Sequence, residues 1–355
     1  MSMPLFTEAP KSLCILRLSA VGDVCHVLAV VQRIQTYYPQ TEITWIIGKA
    51  EMGLLSGIPN ITLIPYDKKA GWKGVLSLWK QLKNKQFDAL LNMQPAFRAS
   101  ILSLGIKAKF KIGFGKKRSR EGQWLFVNRR ITDPSSPHVL DGFMAFAKYI
   151  GVPKSEPKWE LAISEDDDKF ADQFIDFSRK NLLISPCSSK AEKDWLIERY
   201  AEVANIAHQN NVNVIFCSSP AKRELEIVEK ITALCHFTPT NIAGKTNLKQ
   251  LTALISKVDL VLSPDSGPAH IATTQGTPVI GLYAYHNPLR TAPYNNLDNV
   301  VSVYEENAQK EFGKPSSELP WATKLKGKNL MAEIQVDSVI EQMKKSGLFK
   351  KLDKM

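Results

Sequence analysis

VDLVLSPDSGPAHIATTQGTPVIG, residues 258–281, is the most informative pattern in the chain. Its apolar run Asp259–Ser263 predicts a short buried strand that Pro264 stops. A helix is predicted to open at Ala269–Thr274, before a second apolar strand at Val279–Leu282. A strand that breaks into a Gly/Ser turn and a helix start favours anion binding, because the free N–H groups and the positive end of the helix dipole face the ligand.

The turn itself carries more polar groups than a helix cap requires. Asp265, Ser266, Gly267 and His270 place one carboxylate, one hydroxyl, one glycine and one imidazole within six positions. An ordinary strand–turn–helix, with Asp265 or Ser266 as N-cap and His270 in helix packing, is the alternative. The surplus of polar groups makes this turn the leading candidate for a functional site.

Composition indicates a two-domain protein without a membrane span. A chain of 355 residues exceeds the usual size of a single core, and 44% hydrophobic with 23% charged residues is ordinary for a globular protein. No apolar run reaches 18 residues and the start lacks a signal-peptide pattern, so we expect a cytoplasmic protein. The five cysteines are scattered without a C-x-x-C pair, which favours buried free thiols.

The chain repeats a β–α–β alternation twice, which predicts an α/β fold of two doubly wound Rossmann-like domains. We predict a first domain at 1–165, a second at 166–330, and a closing element at 331–355 with an amphipathic helix. Ligands of such sheets bind beyond the carboxyl ends of the strands. The Ser19–Asp23 loop and the Asp265–His270 turn are therefore expected on opposite sides of one central cleft.

Asp23 follows Gly22 where the first strand gives way to the first helix. A carboxylate on a loop facing a cleft can act as a general base. The equally plain alternative is that Asp23 caps the helix. No G-x-G-x-x-G follows this strand, which argues against a dinucleotide site.

Two further positions in the second half suit a phosphorylated ligand. The loop Ser185–Trp195 offers the hydroxyls of Ser188 and Ser189 and the charge of Lys193, although a solvated basic loop is the alternative. No P-loop pattern is present. Glu224 begins a later helix, where a surface carboxylate is the alternative. Neither a G-x-S-x-G elbow nor metal-ligand spacing of histidines occurs.

The net charge of +11 is concentrated in a segment that could contact nucleic acid, an anionic membrane face or a phosphorylated substrate. A merely solvated face is the alternative. Phe110, Phe114, Trp124 and Phe126 lie among these charges at strand-like positions that suit a core, with a strand expected at Trp124–Asn128, which argues against nucleic acid. The basic residues of the segment are Lys107, Lys109, Lys111, Lys116, Lys117, Arg118, Arg120, Arg129 and Arg130.

Three motifs in order resemble the bacterial heptosyltransferases of glycosyltransferase family 9. They are L-S-A-V-G-D at Leu18–Asp23, S-S-K-A-E-K-D-W at Ser188–Trp195 and S-P-D-S-G-P-A-H at Ser263–His270. The likeness covers nearly the whole chain and is greatest to heptosyltransferase I-like members of the Haemophilus type. Lys190 and Ala191 depart from the Arg and Asp of some relatives.

The resemblance implies a GT-B fold with an N-terminal acceptor domain, a C-terminal nucleotide-sugar domain, and a last helix packing back on the first domain. It implies inverting transfer of L-glycero-D-manno-heptose from ADP-heptose to Kdo of Kdo-lipid A, without cofactor or metal. A peripheral position on the inner face of the inner membrane follows, with no nucleic-acid partner. The alternatives are a family member that adds a later heptose or another sugar, and a non-catalytic nucleotide-sugar or nucleic-acid binding protein.

The resemblance also assigns residues. Asp23 matches the catalytic base, and Ser19 and Gly22 belong to the same acceptor-side motif. The donor set comprises the pyrophosphate and sugar contacts Ser188, Ser189 and Lys193, the ribose contact Glu224, the adenine-side contact Thr246, the heptose contact Asp265, and the phosphate turn Ser266, Gly267 and His270. A phosphorylated acceptor also gives the basic first domain a role, with docking candidates Lys68, Arg98, Lys116, Lys117, Arg118 and Arg120.

Overall fold

The computed structural model describes residues 4–349 and divides into two compact units, 1–162 and 163–355. The boundary between the units falls between Ala162 and Ile163, three residues before the predicted boundary between 165 and 166. Each unit contains a six-stranded parallel sheet flanked by helices.

The first unit is built on a sheet of order β3-β2-β1-β4-β5-β6. The central strand β1, Ser12–Leu16, is apolar from Leu13 to Leu16 and is buried on both faces, as expected for a parallel sheet covered by helices. The strands are β1 Ser12–Leu16, β2 Glu42–Gly48, β3 Ile61–Tyr66, β4 Phe87–Asn92, β5 Ala108–Gly113 and β6 Arg129–Arg130. The helices are α1 Val21–Tyr37, α2 Met52–Leu55, α3 Gly71–Leu82, α4 Phe97–Leu104 and α5 Val139–Tyr149.

The second unit has strand order β12-β11-β10-β7-β8-β9, which is the same topology when its strands are counted from its own start. The strands are β7 Lys180–Ile184, β8 Val212–Phe216, β9 Thr240–Asn241, β10 Leu260–Pro264, β11 Val279–Tyr283 and β12 Val300–Ser302. The helices are α6 Glu165–Asp172, α7 Ile197–Gln209, α8 Lys222–Ala233, α9 Leu248–Lys257, α10 Gly267–Gln275, α11 Pro288–Thr291, α12 Tyr304–Phe312 and α13 Val336–Lys345.

In both sheets the order in which successive strands are added reverses beside the first strand. In the first unit the reversal lies between β1 and β4, and in the second between β7 and β10. At such a point the neighbouring connections leave on opposite faces and open a crevice at the carboxyl ends of the strands. The prediction of an α/β protein with two doubly wound sheets is therefore confirmed.

Helix α13, within the predicted closing element 331–355, is grouped with the second unit, and packing of this element on the first domain stays a prediction. Val339 and Met343 on its apolar face are fully buried in that unit's core, and Trp195 donates its indole N–H to the carbonyl of Ile334 at 3.1 Å. Residues 350–355 of the predicted element lie outside the described residues.

The strand predicted at Trp124–Asn128 is wrong. Gln123–Leu125 form a 3-10 turn after Gly122, whose φ of 71° lies in the left-handed region that favours glycine. Trp124 and Leu125 are exposed rather than in the core. Gln123 is fully buried and donates to the carbonyl of Asn92 at 2.9 Å, so a polar side chain fixes this turn against the end of β4.

Candidate functional site

The predicted donor residues all lie at the carboxyl edge of the second sheet. Asp265 and Ser266 follow β10, and the Ser185–Trp195 loop follows β7. Glu224 is in the third position of α8 after β8, and Thr246 lies between β9 and α9. Because β10, β7, β8 and β9 are neighbours in this order, the residues form a row along one edge of one sheet.

Asp265 is the centre of a basic cluster. Lys193 Nζ lies 2.6 Å from its Oδ2, and His286 Nδ1 lies 2.9 Å from the same oxygen. His270 Nε2 is 4.0 Å from Oδ1, too far for a hydrogen bond but close enough to interact electrostatically. The carboxylate is only 13% exposed, so these contacts form in a largely enclosed setting.

The electrostatic balance in this cluster keeps Asp265 ionised. Burial by itself raises the pKa of Asp265, but the hydrogen bond with His286 and the charges of Lys193 and His270 outweigh it. The pKa of Asp265 is therefore held well below its usual value. Lys193 and Asp265 were assigned to different parts of the donor, and the structure joins them in one ion pair.

The helix that follows Asp265 supplies anion-binding groups without using its cap. Ser266 has extended backbone angles at the N-cap position, yet its side chain makes no capping hydrogen bond to α10. Its hydroxyl instead lies 2.7 Å from the hydroxyl of Ser263. Ser266 is thus the N-cap residue by position, as the alternative expected, but its side chain does not cap the helix. The first N–H groups of α10, together with Lys193 and His270, form a site suited to phosphate.

Ser188 organises the loop rather than projecting from it. It is buried, and its hydroxyl donates to the carbonyl of Lys190 at 2.8 Å. Its N–H donates to Asp194 at 2.7 Å, and Arg223 binds both Asp194 and the carbonyl of Ser188. Burial raises the pKa of Asp194, against the lowering effect of Arg223. Ser189, by contrast, is exposed.

Glu224 is likewise not the exposed surface carboxylate that was the alternative for this position. Its side chain is 14% exposed and accepts the N–H of Ser219 at 3.0 Å, which fixes the turn between β8 and α8. The thiol of Cys187 lies beneath this turn, and burial raises its pKa to about 12. Cys187 is therefore not a nucleophile at neutral pH.

A cavity of about 1100 Å³ adjoins this loop network within the second unit. It is bounded by residues 191–192, 194–198, 324–329 and 331–332, together with Tyr285. Asp194 and Arg223 line it, so the pair that fixes Ser188 also forms part of its wall. Lys324 and Glu192 form an ion pair at 2.5 Å on its margin, and this contact lowers the pKa of Glu192.

In the first unit, Asp23 is paired with a buried arginine. Arg17 lies at the end of β1, donates to the carbonyl of Met93 at 2.7 Å, and forms an ion pair with Asp23. Burial lowers the pKa of Arg17, and the carboxylate of Asp23 works against that lowering. Asp23 is the third residue of α1 and Ala20 occupies the N-cap, so the capping alternative for Asp23 is wrong.

The neighbours of Asp23 also hold the loop before α1. Gln94, after β4, accepts the N–H of Leu18 at 3.1 Å and that of Ser19 at 3.4 Å. Gly22 is buried at the start of α1. The Asp23 side chain retains 31% exposure, which leaves part of it accessible to a ligand.

The acceptor-side candidates separate into exposed and buried members. Arg98, Lys116, Lys117 and Arg120 are exposed. Arg118 is 3% exposed, and its guanidinium donates to the carbonyls of His138 at 2.9 Å and Ser136 at 2.5 Å. The interpretation of Arg118 as a docking residue is corrected, because its charge is enclosed by the protein.

The exposure of Lys68 is intermediate between that of the exposed candidates and that of Arg118. Its Nζ is 3.1 Å from Glu51, and its backbone carbonyl accepts from Arg98 at 3.4 Å. Sequence reasoning missed several residues that shape both regions: Arg17, Glu51, Gln94, Arg223 and His286. Nothing local marked them, since their roles arise from partners 6 to 76 positions away.

Residues 4–349 were compared with the requirements of a membrane-spanning helix and of a metal site. None of the helices in this range combines the length and the apolar composition that a membrane span requires. In the same part of the chain, no group of three or more His, Cys, Asp or Glu side chains is arranged to hold a metal ion.

Comparison with known proteins extends these observations. A family model described as glycosyltransferase family 9 (heptosyltransferase) matches residues 75–322. The chain is 93% identical over 347 residues to the lipopolysaccharide core heptosyltransferase OpsX of Haemophilus influenzae, covering 98% of this chain and 100% of that protein. It is 24% identical to lipopolysaccharide heptosyltransferase 3 of Escherichia coli, over 81% of this chain and 86% of that protein.

Solved structures share the fold. A family 9 glycosyltransferase from Veillonella parvula has a TM-score of 0.77 at 22% identity, covering 95% of this chain and 97% of the other. The Escherichia coli ADP-heptose heptosyltransferase II has a TM-score of 0.71 at 21% identity, covering 94% and 98%. The predicted GT-B fold and enzyme class are confirmed. The chain belongs to glycosyltransferase family 9, and it is a heptosyltransferase of lipopolysaccharide core biosynthesis.

Proposed function

We propose that this heptosyltransferase adds the first heptose of the core, transferring L-glycero-D-manno-heptose from ADP-heptose to Kdo of Kdo-lipid A with inversion. The observation that carries the inverting chemistry is the Arg17–Asp23 pair, and the choice of the first heptose rests on the resemblance to heptosyltransferase I-like members of the family. The pair is a single partly exposed carboxylate, oriented by a buried cation, at the switch point of the first sheet. An inverting displacement needs one such base and no second nucleophilic carboxylate.

The reaction follows from the groups on the two sheets. Asp23 accepts the proton of the Kdo hydroxyl as the hydroxyl oxygen attacks the anomeric carbon of the heptose. The bond from that carbon to the ADP oxygen breaks, and ADP leaves with the bonding electrons. The N-terminus of α10, Lys193 and His270 stabilise the negative charge on the departing diphosphate.

The donor extends along the second sheet in this proposal. Its diphosphate lies near Ser189, Ser266 and Gly267, and Ser188 holds the loop that presents Ser189. Toward β8 and β9, Glu224 binds the ribose and Thr246 lies on the adenine side. Asp265 binds the heptose hydroxyls, and its ion pair with Lys193 ties the sugar contact to the phosphate contact.

The acceptor is proposed to bind the first unit near the inner face of the inner membrane. Ser19 and Gly22 line the approach to Asp23. Kdo carboxylates and phosphates of the acceptor suit the positive side chains of Lys68, Arg98, Lys116, Lys117 and Arg120. This gives the exposed basic residues of the first unit a common ligand.

The test is turnover of ADP-heptose on defined acceptors. Kdo–lipid A with two Kdo units, the same lipid with one phosphorylated Kdo, and an acceptor already bearing heptose are compared with the wild-type enzyme. Transfer to a Kdo acceptor supports the proposal and reveals which form is preferred. Transfer only to the heptosylated acceptor identifies a later step, and binding of ADP-heptose without any transfer identifies a non-catalytic binder.

A further inference from the structure

Helix α3, the turn before it and the residues directly after it form one stretch whose charged side chains are all positive. Residues 68–87, KKAGWKGVLSLWKQLKNKQF, contain six lysines and no acidic residue. By contrast, α8 in the second unit mixes both signs along KRELEIVEKITA. Interspersed charges are the ordinary pattern of a solvated helix, whereas a purely basic one attracts an anionic partner.

The same helix exposes large apolar side chains. Its inner face buries Val75, Leu78 and Leu82 in the core of the first unit. One turn apart on the remaining surface, Trp72 is 67% exposed and Leu76 is 60% exposed. The core contacts of α3 are already supplied by its inner face, so these two side chains are not required for its packing.

The lysines flank this apolar pair. Lys69 and Lys73 lie beside Trp72, and Lys80 is one turn beyond Leu76; all three are exposed. Long lysine stems can follow apolar surface while their ammonium groups reach phosphate oxygens. Exposed Trp and Leu side chains surrounded by lysines are typical of helices that bind in the interfacial region of an anionic bilayer.

The apolar exposure continues beyond α3. Arg98 binds the carbonyl of Lys68, and its neighbour Phe97 at the start of α4 is exposed. The Phe97 ring packs on Phe126 with centroids 6.0 Å apart, next to the exposed Trp124 and Leu125. Through Arg98, these contacts link the turn before α3 to the exposed residues Phe97, Trp124 and Leu125.

We propose that the α3 face, defined as Lys69, Trp72, Lys73, Leu76 and Lys80, is a membrane-docking surface for an anionic lipid bilayer. Trp72 and Leu76 enter the interfacial region, and the lysines bind the headgroup phosphates. The inference deepens the proposed function, whose acceptor is lipid-linked. Vesicle binding requires neither donor nor transfer, so it can be tested separately.

The experiment measures co-sedimentation of the full chain with vesicles of phosphatidylethanolamine and phosphatidylglycerol. We expect Trp72→Ser/Leu76→Ser to weaken partitioning about tenfold, because interfacial apolar burial is lost. Lys73→Gln/Lys80→Gln should weaken it about fivefold per charge, and vesicles of phosphatidylcholine alone should bind the wild type poorly.

Matched controls come from the second unit. Phe177→Ser/Leu234→Ser removes two other exposed apolar side chains, and Lys222→Gln/Lys230→Gln removes two lysines of α8. Both controls should partition like the wild type. Equal weakening by the controls, or wild-type partitioning of both α3 variants, overturns the inference.

Two parallel measurements keep the result unambiguous. Circular dichroism verifies that the variants remain folded. If size-exclusion chromatography shows Trp72→Ser/Leu76→Ser abolishing a dimer while partitioning is unchanged, the α3 face is a self-association surface and the inference is overturned. A chain that docks through α3 yet transfers no heptose to a lipid-free Kdo acceptor supports the docking inference and counts against the proposed function alone.

Discussion

The two switch points of this enzyme each contain an aspartate paired with a cation, and their surroundings differ. Asp23 in the first unit has one arginine partner and is 31% exposed. Asp265 in the second unit has Lys193, His286 and His270 around it and is 13% exposed. The same topology therefore presents one partly open carboxylate and one enclosed carboxylate that organises positive groups.

This difference suits two different chemical tasks. A base must offer an oxygen to the ligand, so its partner should orient it without covering it. A diphosphate site needs positive groups held in place before the ligand arrives, and an enclosed carboxylate can hold them. Substitutions at the two sites should therefore affect different quantities, and the predictions below run from the largest effect to the smallest.

Asp23→Ala should nearly abolish transfer, lowering kcat by about 10²- to 10⁴-fold, since general-base catalysis contributes that range. The dissociation constant for ADP-heptose, measured by calorimetry, should change less than about twofold. Among residues 4–349, Asp23 shares no hydrogen-bond partner with the donor residues, and such sites act nearly independently. Asp23→Asn, which keeps the shape next to Arg17, serves as the matched variant. Near-normal turnover by either protein removes Asp23 as the base.

Asp265→Asn should lower the free energy of unfolding by about 3 kcal/mol at neutral pH, because it leaves enclosed basic groups without their counter-charge. The depressed pKa of Asp265 fixes the sign of the pH dependence. Its stabilisation is complete above the unfolded-state pKa of about 4 and is lost as the pH falls toward the folded value.

The difference in urea midpoint between wild type and Asp265→Asn should accordingly shrink below about pH 4, where protonation of Asp265 in the wild type removes the same charge as the substitution. Asp259→Asn provides a control, because Asp259 pairs with Lys180 at the more exposed opposite end of β10. A difference that instead grows below about pH 4 contradicts the assignment.

Arg17→Met should destabilise the protein by about 2 kcal/mol, less than the loss at Asp265 because Asp23 can be hydrated once its partner is gone. It should also reduce kcat, since the carboxylate loses its orientation. Arg17→Lys retains the charge but cannot bind Met93 and Asp23 together, and should recover stability more than turnover. Equal recovery of both quantities would mean that orientation by the guanidinium is unimportant.

Lys193→Ala and His270→Ala should each raise the KM for ADP-heptose about tenfold, with a smaller effect on the acceptor KM, since hydrogen bonds to charged groups contribute about 1.5–3 kcal/mol. His286→Gln tests whether a residue that contacts Asp265 acts only by positioning. Its effect should be smaller than that of Lys193→Ala, and unchanged donor kinetics in all three variants would refute the phosphate site.

Charge reversal at Lys116 and Lys117 should have the smallest effect, raising the acceptor KM about fivefold while leaving the donor KM unchanged, because exposed charges are screened. Adding salt should reduce the difference between wild type and variant. The reverse pattern, with the donor KM affected more, would argue against acceptor docking on this part of the first unit.

The sequence determined the α/β class, the repeated β–α–β plan and the turn after β10, because apolar runs and strand–turn–helix signals are local. The three motifs, in their order along the chain, then pointed to the family. The strand predicted at Trp124–Asn128 failed, since a left-handed Gly122 and the buried Gln123 outweighed an apolar pattern that resembles a strand. The closing helix was correctly predicted as amphipathic, because the spacing of its apolar residues is also a local signal.

The tertiary structure alone decided the electrostatics. His286 and Lys193 meet at Asp265 from 21 and 72 positions away, and Arg17 meets Asp23 only because β1 and α1 are folded against one another. Arg118 looks like its basic neighbours in the sequence, yet it is enclosed by carbonyls of the next loop. Burial and partnership depend on what surrounds a side chain in three dimensions, so residue type and spacing can nominate a charge for a site but cannot show whether it is free to act.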